Sequence, residues 1–131
     1  MMSLPAISAR RAILVVLAAT APLLAAAHPA TAQAAFNGTW SVLIMTDQGA
    51  CDRAYRYPVR IANGRVSYAG QADFNVNGRV ARNGAVRVSV NRGEQRANGS
   101  GRLSGGWGAG TWRGAGGQST CSGSWTAEKR G

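Results

Sequence analysis

The sequence predicts an all-β fold: a small eight-stranded antiparallel up-and-down barrel with one disulfide, following a cleaved signal peptide. Three observations carry this. From Phe36 onward, apolar residues recur with period two and never with the period of a helix. The alternating segments are short and joined by tight glycine turns, so sequence neighbours must be antiparallel neighbours in space. Each segment is apolar on one side only, and no helix is available to cover that side. A meander of this kind buries its apolar face by closing into a barrel, which also removes its exposed edges.

Residues 1–34 read as a secretory signal peptide. Arg10-Arg11 precede a largely apolar run from Ala12 to Ala27, and Ala32-Gln33-Ala34 fits the small-x-small cleavage rule. A spanning helix needs about 20 apolar residues, and Pro22 interrupts this shorter run. The arginine pair fits a twin-arginine signal in part, so both export routes stay open. No cysteine stands at the cleavage site, so no lipid anchor is expected. The expected location is periplasmic or secreted, with residues 35–131 as one small β-barrel domain and no membrane span in the mature form.

The leader holds Arg10 and Arg11 and none of the five acids. The domain therefore keeps 13 of the 15 Lys+Arg against those five acids, a net charge of +8. Twelve of the 13 are arginine.

The first strand, 38–46, puts Trp40, Val42 and Ile44 on one face; Leu43 and Met45 make its other face partly apolar as well. A loop from Asp47 leads to Cys51. The second strand, 53–61, alternates cleanly, with Tyr55, Tyr57, Val59 and Ile61 inward and Ala54, Arg56, Pro58 and Arg60 outward. Pro58 lacks an N–H, and a bulge is expected there. Asn63-Gly64 is a type I′ hairpin signal, because both central residues of that turn need positive φ. The third strand, 65–69, has Val66 and Tyr68 inward.

The fourth strand, 73–82, carries Phe74, Val76, Gly78 and Val80 on one face. Asn77-Gly78 could form a turn, but the alternation keeps its phase across it and favours a single strand. Asn83-Gly84 turns into the fifth strand, 85–91, with Val86, Val88 and Val90 inward and Arg87 and Ser89 outward. After Asn91-Arg92-Gly93, the sixth strand, 95–103, sets Ala97, Gly99, Gly101 and Leu103 against Arg96, Asn98, Ser100 and Arg102. The seventh, 107–113, and the eighth, 119–128, complete the meander.

Ten of the chain's 18 glycines and three of its four tryptophans lie between Gly99 and Trp125. A Gly-x-Trp unit recurs as Gly38-Thr39-Trp40, Gly110-Thr111-Trp112 and Gly123-Ser124-Trp125. In a strand this spacing puts an absent side chain and the largest one on the same face. Glycine then makes room for indoles inside a tightly curved sheet.

Two cysteines in a small exported domain imply one disulfide. Cys51 follows the first strand and Cys121 lies in the eighth, the two strands that meet where the barrel closes. The outward face carries Arg56, Arg60, Arg65, Arg79, Arg87, Arg96 and Arg102. A lipid-facing barrel would be apolar there.

The Gly38-Thr39-Trp40 opening, with Lys129-Arg130 just past the last strand, resembles calycin-type small β-barrels of the lipocalin and avidin kind. In those, a basic residue near the end of the final strand packs over the first-strand tryptophan. The early cysteine, Cys51, is also similar to that of the small periplasmic barrels that inhibit metalloproteases. The chain departs from the avidins in its first-strand polar residues, and from typical lipocalins in length and in lacking a helix after the barrel. The resemblance implies a closed barrel that binds something, and no particular ligand.

The inventory excludes several chemistries. The only histidine, His28, leaves with the leader, so no Ser–His or Cys–His pair can form. Asp47 and Asp52 share a loop, without the clustered oxygen ligands that a cation needs. We therefore expect no enzyme, no cofactor and no metal site. Two classes remain. One is a binding barrel holding a small apolar or aromatic ligand, with Trp40, Tyr55, Tyr57, Tyr68, Trp112 and Trp125 as its candidate wall. Eight-stranded barrels are either filled by side chains or hold one small ligand, and the phase of these residues fits both. The other is an interaction module: a protease-inhibitor-like surface, or a polyanion-binding one using Arg56, Arg60, Arg87, Arg96 and Arg102. Trp107, outward by parity, is a candidate exposed aromatic. An acidic envelope polymer such as lipopolysaccharide, or an acidic protein, fits an exported basic domain better than nucleic acid does.

Overall fold

The computed structural model describes Ser3 and residues 34–131, so the signal-peptide reading falls almost wholly outside the described residues. Eight strands follow one another: β1 (Gly38–Gln48), β2 (Ala54–Ala62), β3 (Arg65–Tyr68), β4 (Asn75–Val80), β5 (Ala85–Arg92), β6 (Gln95–Ser104), β7 (Trp107–Gly116) and β8 (Ser119–Lys129). Each pairs antiparallel with the next, and β8 returns to β1, closing the barrel.

Turn chemistry sets the register. Asn63 (φ 51°) and Gly64 (φ 78°) both take positive φ between β2 and β3, as a type I′ turn requires. This fixes Ala62 opposite Arg65 and sends Ile61 and Val66 to the same inward face. Asn77-Gly78 does not turn. β4 runs straight through it, with Gly78 opposite both Val66 and Val88.

The expected bulge at Pro58 is absent. Pro58 lies in unbroken register opposite Ser41 on β1. Its other edge faces β3, where its carbonyl accepts from the Ala69 N–H at 3.1 Å. The N and C=O of one strand residue point to the same side. The missing N–H therefore faces Ala69, so this pair keeps one bond of two, and the β2–β3 ladder ends at Tyr68. The irregularity falls in β1 instead, between Thr46 and Gln48 against β8.

The inward face makes one core. Trp40 and Val80 are fully buried near one end, with Phe36, Ile61, Val66, Val86, Leu103 and Ala127 around them. The segment before β1 closes this end. The Phe36 carbonyl accepts the Trp40 indole N–H at 2.8 Å, and Asn37 Oδ1 accepts the Asn63 N–H at 2.7 Å. Lys129 lies directly opposite Trp40, and its Nζ donates to the Ala35 carbonyl at 3.3 Å. The other end is the mouth. There Cys51, in the β1–β2 loop, is bridged to Cys121 of β8, with Cα atoms 6.2 Å apart.

Candidate functional site

The barrel is hollow towards the mouth. A cavity of about 480 Å³ runs down from the mouth to Trp40. That volume is within the usual range for small-ligand pockets. Its rim is formed by exposed residues of three connections: Asp52 before β2, Gln95 and Arg96 after the β5–β6 turn, and Ser119 after the β7–β8 turn.

The depth of the cavity follows from how the glycines seat the indoles. The Gly-x-Trp units of β7 and β8 run antiparallel in reciprocal register: Trp112 lies opposite Gly123, and Trp125 lies opposite Gly110. A Cβ at Gly110 would come within 2.7 Å of the Trp125 ring, and one at Gly101 within 2.6 Å. Trp125 therefore lies flat against a bare patch of backbone and leaves the centre of the barrel free. Its N–H donates to the Ser100 carbonyl at 3.2 Å.

Trp112 is placed by the irregularity in β1. Beside it the Met45 carbonyl crowds Gly123 so closely that any side chain there would collide with it. The Trp112 indole, opposite Gly123, donates to that carbonyl at 2.9 Å. All three inward tryptophans thus spend their only donor on the protein's own backbone. The wall they present to the cavity is apolar.

Polar groups are few and sit high. The Thr46 hydroxyl donates to the Asp52 carbonyl at 2.6 Å. Tyr57 stacks on Phe74, with ring centroids 6.0 Å apart, and Tyr55 leans on both. Burial, with a smaller contribution from Tyr55, pushes the Tyr57 hydroxyl up to about 12, so it stays a neutral phenol near neutral pH. Arg92 ends β5 on the inward phase and reaches over the mouth. Its guanidinium carbon lies 4.8 Å from the centre of the Phe74 ring, and its Nε pairs with Asp73 at 2.9 Å.

Of the candidate wall, Trp40, Tyr55, Tyr57, Trp112 and Trp125 line the cavity. Tyr68 does not. Its ring packs behind Tyr57 and Phe74 at centroid distances of 6.3 and 5.4 Å, and the backbone of Gly70 covers its hydroxyl. Arg92 and Val88 line it without having been singled out in the sequence.

The arginines separate into groups. Arg56 is exposed and donates to Ser41 Oγ at 2.9 Å. Arg96, outward by parity, sits at the start of β6 and lines the rim of the cavity. Arg60, Arg87 and Arg102 lie in the half of the wall away from the mouth, with Arg65 and Arg79 between them. Trp107 is 52% exposed at the same end. Comparison with protein-family models, with curated proteins and with solved structures finds no match for this chain.

Proposed function

We propose that this protein is an exported, non-enzymatic carrier or sensor that takes one small, largely apolar or aromatic ligand into the barrel through its mouth. The observation that supports this best is the cavity itself. An interior of about 480 Å³ stays open although six aromatic residues, Trp40, Tyr55, Tyr57, Phe74, Trp112 and Trp125, line it. Water gains little in such a space, because the indole donors are already committed and few polar partners remain. An apolar ring or chain of the right size would instead bury its surface at roughly 25 cal/mol per Å². The Tyr57 phenol and the free edge of the Arg92 guanidinium favour a ligand with one polar or anionic end at the mouth. The Cys51–Cys121 bridge, which holds the loop carrying Asp52 at the rim, supports an oxidising compartment.

N-phenyl-1-naphthylamine tests this reading. The probe is neutral, so the basic surface does not hold it. Excitation of the tryptophans, three of which line the cavity, should transfer energy to the probe and saturate at one per chain. Absence of transfer at saturating probe overturns the proposal.

A further inference from the structure

The outer wall carries an arrangement that folding alone disfavours. Arg65 of β3 lies directly opposite Arg79 of β4, and Arg79 lies directly opposite Arg87 of β5. Residues so paired have Cα atoms only about 4.5–5.5 Å apart. Like charges in that position are destabilising. Arg60 and Arg102 extend the group diagonally at its two ends, since Arg60 pairs with Ser67 and Arg102 with Ala85.

No acid offsets it. Asp47, Asp52, Asp73 and Glu94 all belong to the mouth, and Glu128 is paired with Arg130 at 3.0 Å. One step towards the mouth, the matching outward row is Ser67, Asn77, Ser89 and Asn98, all uncharged. The charge is therefore concentrated on β3, β4 and β5, and the next row is neutral across β3–β6, with Arg60 and Arg113 at its two ends. A depression in the wall beside this pair is lined by Arg79, Arg87, Ala81, Ala85, Ser100 and Gly101. A sheet that breaks the cross-strand rule without a partner inside the fold points to a partner outside it.

We propose that this row is a binding site for an acidic polysaccharide lying around the barrel wall, with its carboxylates or sulfates on Arg65, Arg79 and Arg87. The site is separate from the cavity and does not depend on it. Guanidinium groups suit such anions through bidentate hydrogen bonds. The Ser/Asn row alongside offers hydroxyl and amide partners for sugar hydroxyls. Trp107 stands on β7 two residues from Ala109, which faces Arg102, and gives an exposed ring for stacking at the end of the track. Single-stranded nucleic acid fits less well, because it calls for successive aromatic platforms. Here the large exposed aromatics among the described residues are Trp107 and Tyr55, at opposite ends. A bilayer is flat, and a convex wall would bring few of these arginines to it at once.

Retention on immobilised heparin across a sodium chloride gradient tests the proposal. Arg79→Ser/Arg87→Ser should weaken binding about tenfold or more, while Arg53→Ser/Arg56→Ser, the same loss of charge at the mouth end of β2, should leave it within about twofold. Both variants should melt no lower than the wild type. Should the first melt early, Arg65→Ser/Arg87→Ser gives the same comparison. Equal losses for the two positions would show diffuse charge only and overturn the site. Tighter binding to an oligothymidylate of equal charge, or to phosphatidylglycerol vesicles, would overturn the polysaccharide assignment.

Discussion

Trp125 lies directly opposite Gly110, and a single methyl group added at Gly110 would come within 2.7 Å of its indole. The bare glycine is what lets the ring lie against the wall instead of across the barrel. Gly110→Ala should therefore destabilise by at least about 1–3 kcal/mol, the usual cost of overpacking, since the added carbon would also collide with the Ser100 backbone carbonyl. Gly106→Ala, where the added carbon meets only the Lys129 Cβ at 3.7 Å, should change stability by no more than about 0.5 kcal/mol. Urea melts of the two variants make the comparison.

Trp40 and Trp107 give the second contrast. Trp40 is fully buried and hydrogen-bonded at the closed end, whereas Trp107 is 52% exposed. Trp40→Ala should cost about 3–5 kcal/mol. Trp107→Ala should cost far less. Equal losses in urea melts would contradict the placement of β7.

Tyr57 predicts a loss of stability in alkali. Its pKa is raised from 10.0 in the unfolded chain to about 12 in the folded one. Between those values the unfolded state releases a proton that the folded state keeps, so stability must fall as pH rises. The contribution is fully present below pH 10 and gone above about pH 12, and a shift of this size is worth about 2–3 kcal/mol. Tyr57→Phe should flatten this part of the stability–pH curve. An unchanged slope would place the phenol in water.

The disulfide spans a sequence separation of 70 residues and joins the β1–β2 loop to β8 at the mouth. Closing such a loop is worth about 4 kcal/mol on chain-entropy grounds. Cys51→Ala/Cys121→Ala should lose about that much and should also alter ligand entry, because Ala50, Cys51 and Asp52 form part of the cavity wall. Guanidinium melts measure the first effect, and the rate of probe uptake measures the second.

The strands and their phase were legible because alternation keeps its phase along each strand, including across Asn77-Gly78, which does not turn. What lay beyond the sequence depends on register and on height along the barrel. Parity sends Tyr68 inward correctly, but only the fold shows that Tyr57 and Phe74 stand between it and the cavity. Arg92 falls on the inward phase of β5 once that strand extends one residue past Asn91, a boundary that alternation alone does not mark. Pro58 signals a broken ladder in any strand taken singly. In the fold it costs one bond only, because Pro58 sits where the β2–β3 ladder ends and still accepts from Ala69. The Arg65–Arg79–Arg87 row likewise exists only once three strands are in register. The Gly-x-Trp repeat did show that glycines make room for indoles. For Trp125 the glycines that do so, Gly110 and Gly101, belong to β7 and β6 and not to its own strand.

The central claim is that the hollow of the barrel is the ligand site, and Gly99 offers the most direct test. Gly99 lines the cavity, and a Cβ there meets only ordinary contacts, with the Trp125 Nε1 at 3.5 Å and the Thr111 carbonyl at 3.6 Å. Gly99→Leu should project into the open space and obstruct it beside Trp125 without disturbing the wall. Titration of wild type and Gly99→Leu with N-phenyl-1-naphthylamine, alongside their thermal melts, is the measurement. The variant should melt at or above the wild-type temperature and lose binding at least about tenfold. A variant that folds equally well and binds the probe as the wild type does would place the ligand somewhere other than the barrel interior.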